Sequence, residues 1–366
     1  MRHSRWPVLL VAVALLGVAL WIARCDSGPG TGNVAVKKGE PPAREIVYPR
    51  QRPPRQRAKP EEARAARSDG GPMVGSSSTL PADALERSVL APGTGGAVFI
   101  ELNAISQSAL FDRMMRCGGS DLSNGLAMVS EDFGLDLDRD IDRVALSRDV
   151  FAVSGYFQSL RIPEVFGEGQ RLDARTMLYT LPVEGKSGDA AAEQEYVAIV
   201  DQNLLLSASE LPALQQALQR LDGSMPRDPS PSLEHAAGEL YGELGPAFLQ
   251  ALLEDEADPV AQRLRGMLSA ATVRMGIDDD VAMSLDLQAT DASQARDLAR
   301  TVGGALAAWR LQAARDGDSE LASLLEQARV QPHEDGRFDV DVAVTGEQIL
   351  RRMGCAPDGS RLPVER

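Results

Sequence analysis

The sequence predicts an α+β protein with a single N-terminal transmembrane helix, a disordered linker, and two related halves that each combine an antiparallel sheet with helices. Three observations predict this class: an uncharged apolar run at the N terminus, a Pro-, Gly- and Arg-rich stretch after it, and β-hairpins alternating with amphipathic helices further on. Of the 366 residues, 43% are hydrophobic and 25% charged, as in ordinary globular proteins. We place the boundaries at residues 1–26, 27–79, 80–223 and 233–366.

The composition disfavours several classes of function. The net charge of −15, from 38 basic and 53 acidic residues, argues against a nucleic-acid-binding body. Aromatic residues make up 4% of the chain, which disfavours base-stacking surfaces, and three Cys with three His leave few ligands for a zinc site. We therefore expect no nucleic-acid partner and no cofactor.

The N-terminal segment has the pattern of a membrane anchor. Arg2 and Arg5 precede an uncharged run over 6–23, whose 18 residues would form a helix of about 27 Å, close to the hydrocarbon thickness of a bilayer. Trp6 and Trp21 lie near the two ends of the run, at the predicted membrane interfaces. The membrane is thus an expected partner, through residues 6–23.

Two alternatives to an uncleaved anchor stay open. Signal-peptide cleavage has only a weak site, Ala23-Arg24-Cys25, and lipidation of Cys25 would need a small residue where Arg24 stands. The short basic N terminus predicts an extracytoplasmic body, although Lys37 and Lys38 on the other side of the run weaken the charge contrast.

The linker is basic and the rest of the chain is acidic. Between Ser27 and Pro72, ten basic residues stand against five acidic ones, and no hydrophobic period is sustained. Such a composition predicts an extended, mobile tether. A solubilising spacer is the favoured interpretation, and contact with anionic lipid, another polyanion or the chain's own acidic body is the alternative.

The first half reads as strands, hairpins and two amphipathic helices. The predicted elements are a strand at Ala97–Leu102, a helix at Ala104–Arg116, a hairpin of Arg143–Ser147 with Val150–Phe157, a strand at Thr176–Leu181, a hairpin of Tyr196–Val200 with Leu204–Ala208, and a helix at Glu210–Leu221.

The second half follows a Pro- and Ser-rich linker at Gly223–Ser232. It contains predicted helices at Leu233–Glu254 and Pro259–Leu268, strands at Thr272–Ile277 and Val281–Ala289 around an Asp278–Asp280 turn, helices at Ala292–Ala314 and Ser319–Arg329, a strand at Phe338–Val344, and a helix at Glu347–Met353. Both halves end with a strand, a Ser- or Thr-containing turn and an amphipathic helix, which suggests a distant duplication.

Three runs carry a resemblance to a known group: PADALERSVLAPGTGGAVFIELN, GLDLDRDIDRVAL and YVAIVDQNLLLSASELPALQQALQRLDG. They resemble a loose family of uncharacterised bacterial membrane-anchored or extracytoplasmic proteins with a duplicated α+β body. The resemblance covers about residues 80–354 and contains no catalytic motif. It implies a fold and a compartment, and no activity or functional residue.

Motifs for phosphate and metal binding are weak. Gly185-Lys186-Ser187 lacks the first glycine of a phosphate-binding loop, so we interpret it as a turn. Asp136, Asp138 and Asp140 are weak calcium candidates, because the glycine and glutamate of an EF-hand loop are missing. A solvated turn before a strand is the favoured interpretation of these aspartates.

No hydrolase motif is complete, so no catalytic residue is assigned. Ser154 lacks the G-x-S-x-G pattern, His235 and His333 lie in polar stretches that predict exposure, and no second histidine follows His333-Glu334 at the spacing of a zinc peptidase.

Cys117 and Cys355 each directly follow a predicted amphipathic helix. They are candidates for a disulfide if the body is extracytoplasmic, and two buried thiols are the alternative.

These observations favour a non-enzymatic, membrane-tethered extracytoplasmic protein that binds another protein or a cell-envelope component. A metal-assisted hydrolase of unrecognised type, and a lipid or small-molecule carrier, are the alternatives.

Overall fold

The structure is a computed structural model of the whole chain. It describes residues 48–49, 80–81, 83–92, 95–117, 140–158, 160, 166–183, 193–228, 238–252 and 259–361. The predicted anchor, with Trp6 and Trp21, and all of the predicted linker except Tyr48 and Pro49 lie outside these residues.

The described part is an α+β fold with one large antiparallel sheet, as the sequence predicts. The sheet has twelve strands in the order β11-β12-β10-β9-β8-β1-β2-β3-β7-β6-β5-β4. The strands are β1 Gly96–Ile100, β2 Ile141–Ser147, β3 Phe151–Gly155, β4 Gln170–Arg171, β5 Thr176–Val183, β6 Glu193–Val200, β7 Leu204–Ala208, β8 Leu240–Leu244, β9 Leu268–Ile277, β10 Val281–Ala289, β11 Arg329–Pro332 and β12 Arg337–Val344.

The helices lie on the two faces of this sheet. They are α1 Ala84–Val89, α2 Leu102–Ser106, α3 over 109–117, α4 Leu211–Asp222, α5 Pro246–Leu252, α6 Pro259–Met267, α7 Ala295–Arg315, α8 Ser319–Gln327 and α9 Gly346–Arg352. A 3-10 turn at Ala292–Gln294 leads into α7.

Glycines allow β1 of the first half and β8 of the second half to lie close together as neighbouring strands in the middle of the sheet. Gly96 has φ +91°, and a Cβ atom there would lie 1.9 Å from the carbonyl oxygen of Glu243. A Cβ atom on Gly242 would lie 2.4 Å from the carbonyl oxygen of Ala97. A side chain at either position would therefore collide with the neighbouring backbone.

The front face of the sheet carries Phe99 and Tyr241, and the described helices that cover it belong to the first half. There α1 and α4 bury a core that includes Leu85, Leu206 and Leu214. On the back face a larger core runs through both halves and takes residues from α5 and α7 as well as from the strands. A third cluster joins α3 to α9.

Most predicted elements are confirmed to within a few residues, but the helix predicted over Leu233–Glu254 is wrong. Its centre is β8, which pairs with both β1 and β9 and lies in the middle of the sheet. Of the residues in this range that the structure describes, only Pro246–Leu252 are helical. Leu240, Leu244 and Phe248 recur at a spacing that suits a helix, but long-range strand pairing decides the structure.

Smaller differences concern local signals. The helix predicted over Ala104–Arg116 is divided at Ser108, whose hydroxyl accepts a hydrogen bond from the Phe111 N–H. Helix α1 and the two edge strands β4 and β11 are not predicted, and Arg329 of β11 falls in the predicted helix before it.

Candidate binding surface

A row of directly paired residues crosses the sheet on its front face. From the first half to the second it runs Leu178, Ala198, Leu206, Ala152, Ala145, Phe99, Tyr241, Arg274, Ser284, Asp341, Arg329. The row is apolar up to Tyr241 and polar beyond it. The parallel row of the second half is Glu243, Thr272, Asp286, Asp339, Gln331.

We call the polar part of these two rows the polar half-face: Glu243, Thr272, Arg274, Ser284, Asp286, Arg329, Gln331, Asp339 and Asp341. It contains four carboxylates and two guanidinium groups, so its charge is negative on balance. Because successive side chains of a strand point to opposite faces of the sheet, apolar side chains of the same strands, such as Val340 and Leu287, lie on the back face.

The described helices of the second half pack on the other side of the sheet. Leu298 of α7 shares the back-face core with Leu287, Phe338 and Val340. Ile349 of α9 belongs to the third cluster with α3. The polar half-face is therefore not where these helices pack.

Part of the polar half-face is nevertheless buried. Ser284 is fully buried and Arg274 and Asp339 are 6% and 7% exposed. Arg274 Nη1 lies 2.5 Å from Asp286 Oδ2, and His333 Nε2 lies 2.7 Å from Asp339 Oδ2. The Ser284 hydroxyl has no hydrogen-bond partner among the described residues, which is costly for a buried polar group.

Tyr48, which the structure describes together with its neighbour Pro49, lies near the outer end of this surface. Burial raises the pKa of the Tyr48 phenol, Asp341 raises it further and Arg329 lowers it, so the phenol lies within electrostatic range of both groups. Pro49 is buried. Of the predicted linker, Tyr48 therefore lies near the β11–β12 edge of the polar half-face.

A buried charged cluster marks the boundary between the apolar and polar parts of the front face. Arg143 of β2 donates from Nη2 to Glu86 Oε1 of α1 at 2.9 Å and to the Tyr241 hydroxyl at 3.0 Å. Its Nε lies 2.9 Å from Glu101 Oε1, to which the Tyr241 hydroxyl donates at 2.9 Å.

The surroundings of Arg143 favour its charged form. Burial on its own would lower the pKa of the guanidinium, but Glu101, Tyr241 and Glu86 outweigh this effect and hold the pKa above its usual value. The guanidinium carbon also lies 5.8 Å from the centre of the Phe99 ring. The cluster connects α1, β1, β2 and β8, and we assign it a structural role.

Local sequence does not distinguish Arg143, Arg274 or Tyr241 from other residues of their strands. A signal was present for the polar half-face, because Asp and Val alternate at Asp339–Val342 as in a strand with one polar side. The neighbours of those aspartates on other strands depend on the order of the strands in the sheet. Local sequence does not reveal that order.

The predicted calcium candidates are not brought together by what the structure describes. Asp136 and Asp138 lie outside the described residues, as does Gly185-Lys186-Ser187. Asp140 stands directly before β2, where its carbonyl accepts a hydrogen bond from the Tyr156 N–H. Within the described ranges, no group of three or more His, Cys, Asp or Glu side chains could hold a metal ion.

Two other predicted sites are located by the structure. His333 is exposed, as predicted, and lies against Asp339, whereas His235 is outside the described residues. Cys117 and Cys355 have Cα atoms 5.9 Å apart and form a disulfide at the third cluster, which is compatible with the predicted pairing.

The Asp278–Asp280 turn has a structural role beyond the predicted exposed hairpin. The Asp279 carbonyl accepts a hydrogen bond from Arg113 at 2.8 Å, and the Asp280 carboxylate accepts one from the Gly346 N–H at 2.9 Å. The turn therefore holds α3 and α9 at this end of the sheet.

No helix in the described part of the chain is long and apolar enough to span a bilayer. The predicted anchor over 6–23 is outside that part.

The comparisons with known proteins give distant structural similarity alone. No family model matches the chain, and no curated protein matches it. Among solved structures, the chain is similar to the structure of crystal form I of TP0453, with 13% sequence identity and a TM-score of 0.37, over 73% of this chain and 95% of that one.

Proposed function

We propose that this chain is a non-enzymatic, membrane-tethered extracytoplasmic protein that binds another protein or a cell-envelope component through its polar half-face. The observation that carries the binding role is the division of the front face. Helices cover its apolar part, whereas the polar part presents charges of both signs on a broad sheet surface. Such surfaces suit polar protein partners, because complementary charges set orientation and specificity.

The membrane attachment rests on the sequence. An uncharged run over 6–23 with a Trp near each end is long enough to cross a bilayer, and the basic N terminus favours an extracytoplasmic body. The Cys117–Cys355 disulfide supports the same compartment, because disulfides persist in oxidising environments.

Site-specific photo-crosslinking in intact bacterial cells tests the binding role. A photoreactive residue at Gln331, on the polar half-face, is compared with one at Gln312, an exposed glutamine on α7 at the back of the sheet. We expect an intermolecular adduct from position 331 and none from position 312. Equal adduct patterns at the two positions, or no intermolecular adduct from 331, would contradict the proposal.

We also propose that the body arose by duplication. From the centre of the sheet outward, the first half runs β1-β2-β3-β7-β6 and the second β8-β9-β10-β12-β11, and each half ends in a helix, α4 or α9. An alignment of relatives in which the two halves align with each other would support this origin. Halves that fail to superpose over these five strands in an experimental structure would contradict it.

A further inference from the structure

We infer that the chain's own basic segment around Tyr48 and Pro49 is an intramolecular ligand of the polar half-face. The inference is independent of which side of the membrane the body occupies. It implies that a partner of this surface must first displace the segment.

The first support is the position of the two described linker residues. Tyr48 lies within electrostatic range of Asp341 and Arg329, and Pro49 is buried. These residues are more than 30 positions away in sequence from α1, the first described helix of the body. A spacer without affinity for the body would leave both residues exposed, whereas Tyr48 is half-buried and Pro49 is buried.

The second support is the buried polar chemistry beside them. Ser284 follows Asp341 in the same cross-strand row, is fully buried, and has a hydroxyl without a hydrogen-bond partner among the described residues. Arg274, the next residue of the row, is also buried. The described helices of the second half pack on the other face, so a further layer over this row would have to come from elsewhere in the chain or from a partner.

The third support is charge complementarity. The polar half-face contains four carboxylates and two guanidinium groups, and the sequence on either side of Tyr48 is basic on balance, with Arg44, Arg50 and Arg52 against Glu45. A basic peptide on an acidic, partly desolvated surface gains more than the same pairs would gain in water. The acidic part of the chain therefore offers a site to its own basic linker.

The chain lengths permit this arrangement. Three strand spacings separate β11 from β9, about 14 Å, which an extended segment of about five residues covers. The residues between Pro49 and α1 are enough for a coil of roughly 30 Å, so the connection to the body does not prevent docking.

Limited trypsin digestion of the full chain in detergent micelles at low salt tests the inference, because the linker contains matched cleavage sites. The bond after Arg50 lies beside Tyr48, whereas the bonds after Arg64 and Arg67 lie in the same linker but away from it. We expect cleavage after Arg50 to be about tenfold slower than after the other two, as for a segment docked about 90% of the time. The protection should fall with added salt.

Two substitutions identify the surface. Asp341→Asn leaves the cleavage site unchanged and removes a charge from the polar half-face, so it should speed cleavage after Arg50 at least threefold. Tyr48→Ala should do the same without altering the sheet. Asp297→Asn removes an exposed carboxylate from α7 and should leave the rate unchanged.

Three outcomes would overturn the inference. Equal cleavage after Arg50, Arg64 and Arg67 in the unaltered chain would show that the segment is not docked. Protection that survives both Asp341→Asn and Tyr48→Ala would place the segment on another surface. Protection that is lost on dilution would mean that the segment binds a second copy of the chain.

Discussion

Replacement of Arg143 by methionine removes the guanidinium that touches both Glu86 and Glu101 at the boundary between the two parts of the front face. The side chains of Arg143, Glu86 and Glu101 are only 16%, 5% and 19% exposed, so water can compensate little. Removal of one partner from a buried ion pair costs about 3–5 kcal/mol. Because two carboxylates and the Tyr241 hydroxyl lose the same partner, we expect a loss of about 4 kcal/mol in the free energy of unfolding at pH 7.

Urea denaturation followed by circular dichroism measures this loss. Arg148→Met is the matched control, because Arg148 lies in the β2–β3 turn, is 48% exposed and pairs with Asp149 at 3.8 Å. The control should lose less than about 0.5 kcal/mol.

A further variant tests the cause of the loss. A triple variant with Arg143→Met, Glu86→Gln and Glu101→Gln should recover most of the stability, because it leaves no buried charge in this cluster. The reasoning would be refuted if Arg143→Met lost no more than Arg148→Met, or if its loss were the same in the triple variant.

Three other predictions concern the junction, a turn and the disulfide. Gly96→Ala should lower the free energy of unfolding by about 1–3 kcal/mol or more, because a Cβ atom would lie 1.9 Å from the Glu243 carbonyl oxygen. An unchanged midpoint of urea denaturation would contradict the close β1–β8 contact. Hydrogen bonds from the backbone N–H groups of residues 175 and 176 lower the pKa of Asp173, so an NMR titration should find a midpoint below 3.8 for its carboxyl group. The resulting stabilisation is present above the pKa of Asp173 in the unfolded chain and is lost as the pH falls through its pKa in the folded chain. A midpoint at or above 3.8 would refute this prediction. Reduction of the Cys117–Cys355 bond, which closes a loop of 238 residues, should destabilise the chain by up to about 5 kcal/mol, and an unchanged urea midpoint on reduction would argue against the bond.

The hairpin of β9 and β10 shows what local sequence can predict. Its strands were expected at Thr272–Ile277 and Val281–Ala289 and lie at Leu268–Ile277 and Val281–Ala289. Alternation and an aspartate-rich turn specify a hairpin within about twenty residues, so no distant contact is needed. The terminal helix Gly346–Arg352 was predictable for the same reason, since Thr345 and Gln348 form a capping box.

The central strand β8 shows what local sequence cannot predict. Its five residues become a strand because β1 lies on one side and β9 on the other, more than twenty residues away in either direction. The candidate surface depends on the same long-range order. Asp341, Ser284 and Arg274 form one row only after β12, β10 and β9 have paired, although each strand alone shows which of its sides is polar.

Labelling of intact cells with a membrane-impermeant maleimide tests the proposed topology of the full chain most directly. We predict that Cys25 reacts in intact cells, whereas Cys117 and Cys355 react only after reduction and unfolding, and gel mobility reports the number of labels. Three free thiols that react only after the membrane has been broken would place the body in the cytoplasm and contradict the proposed function.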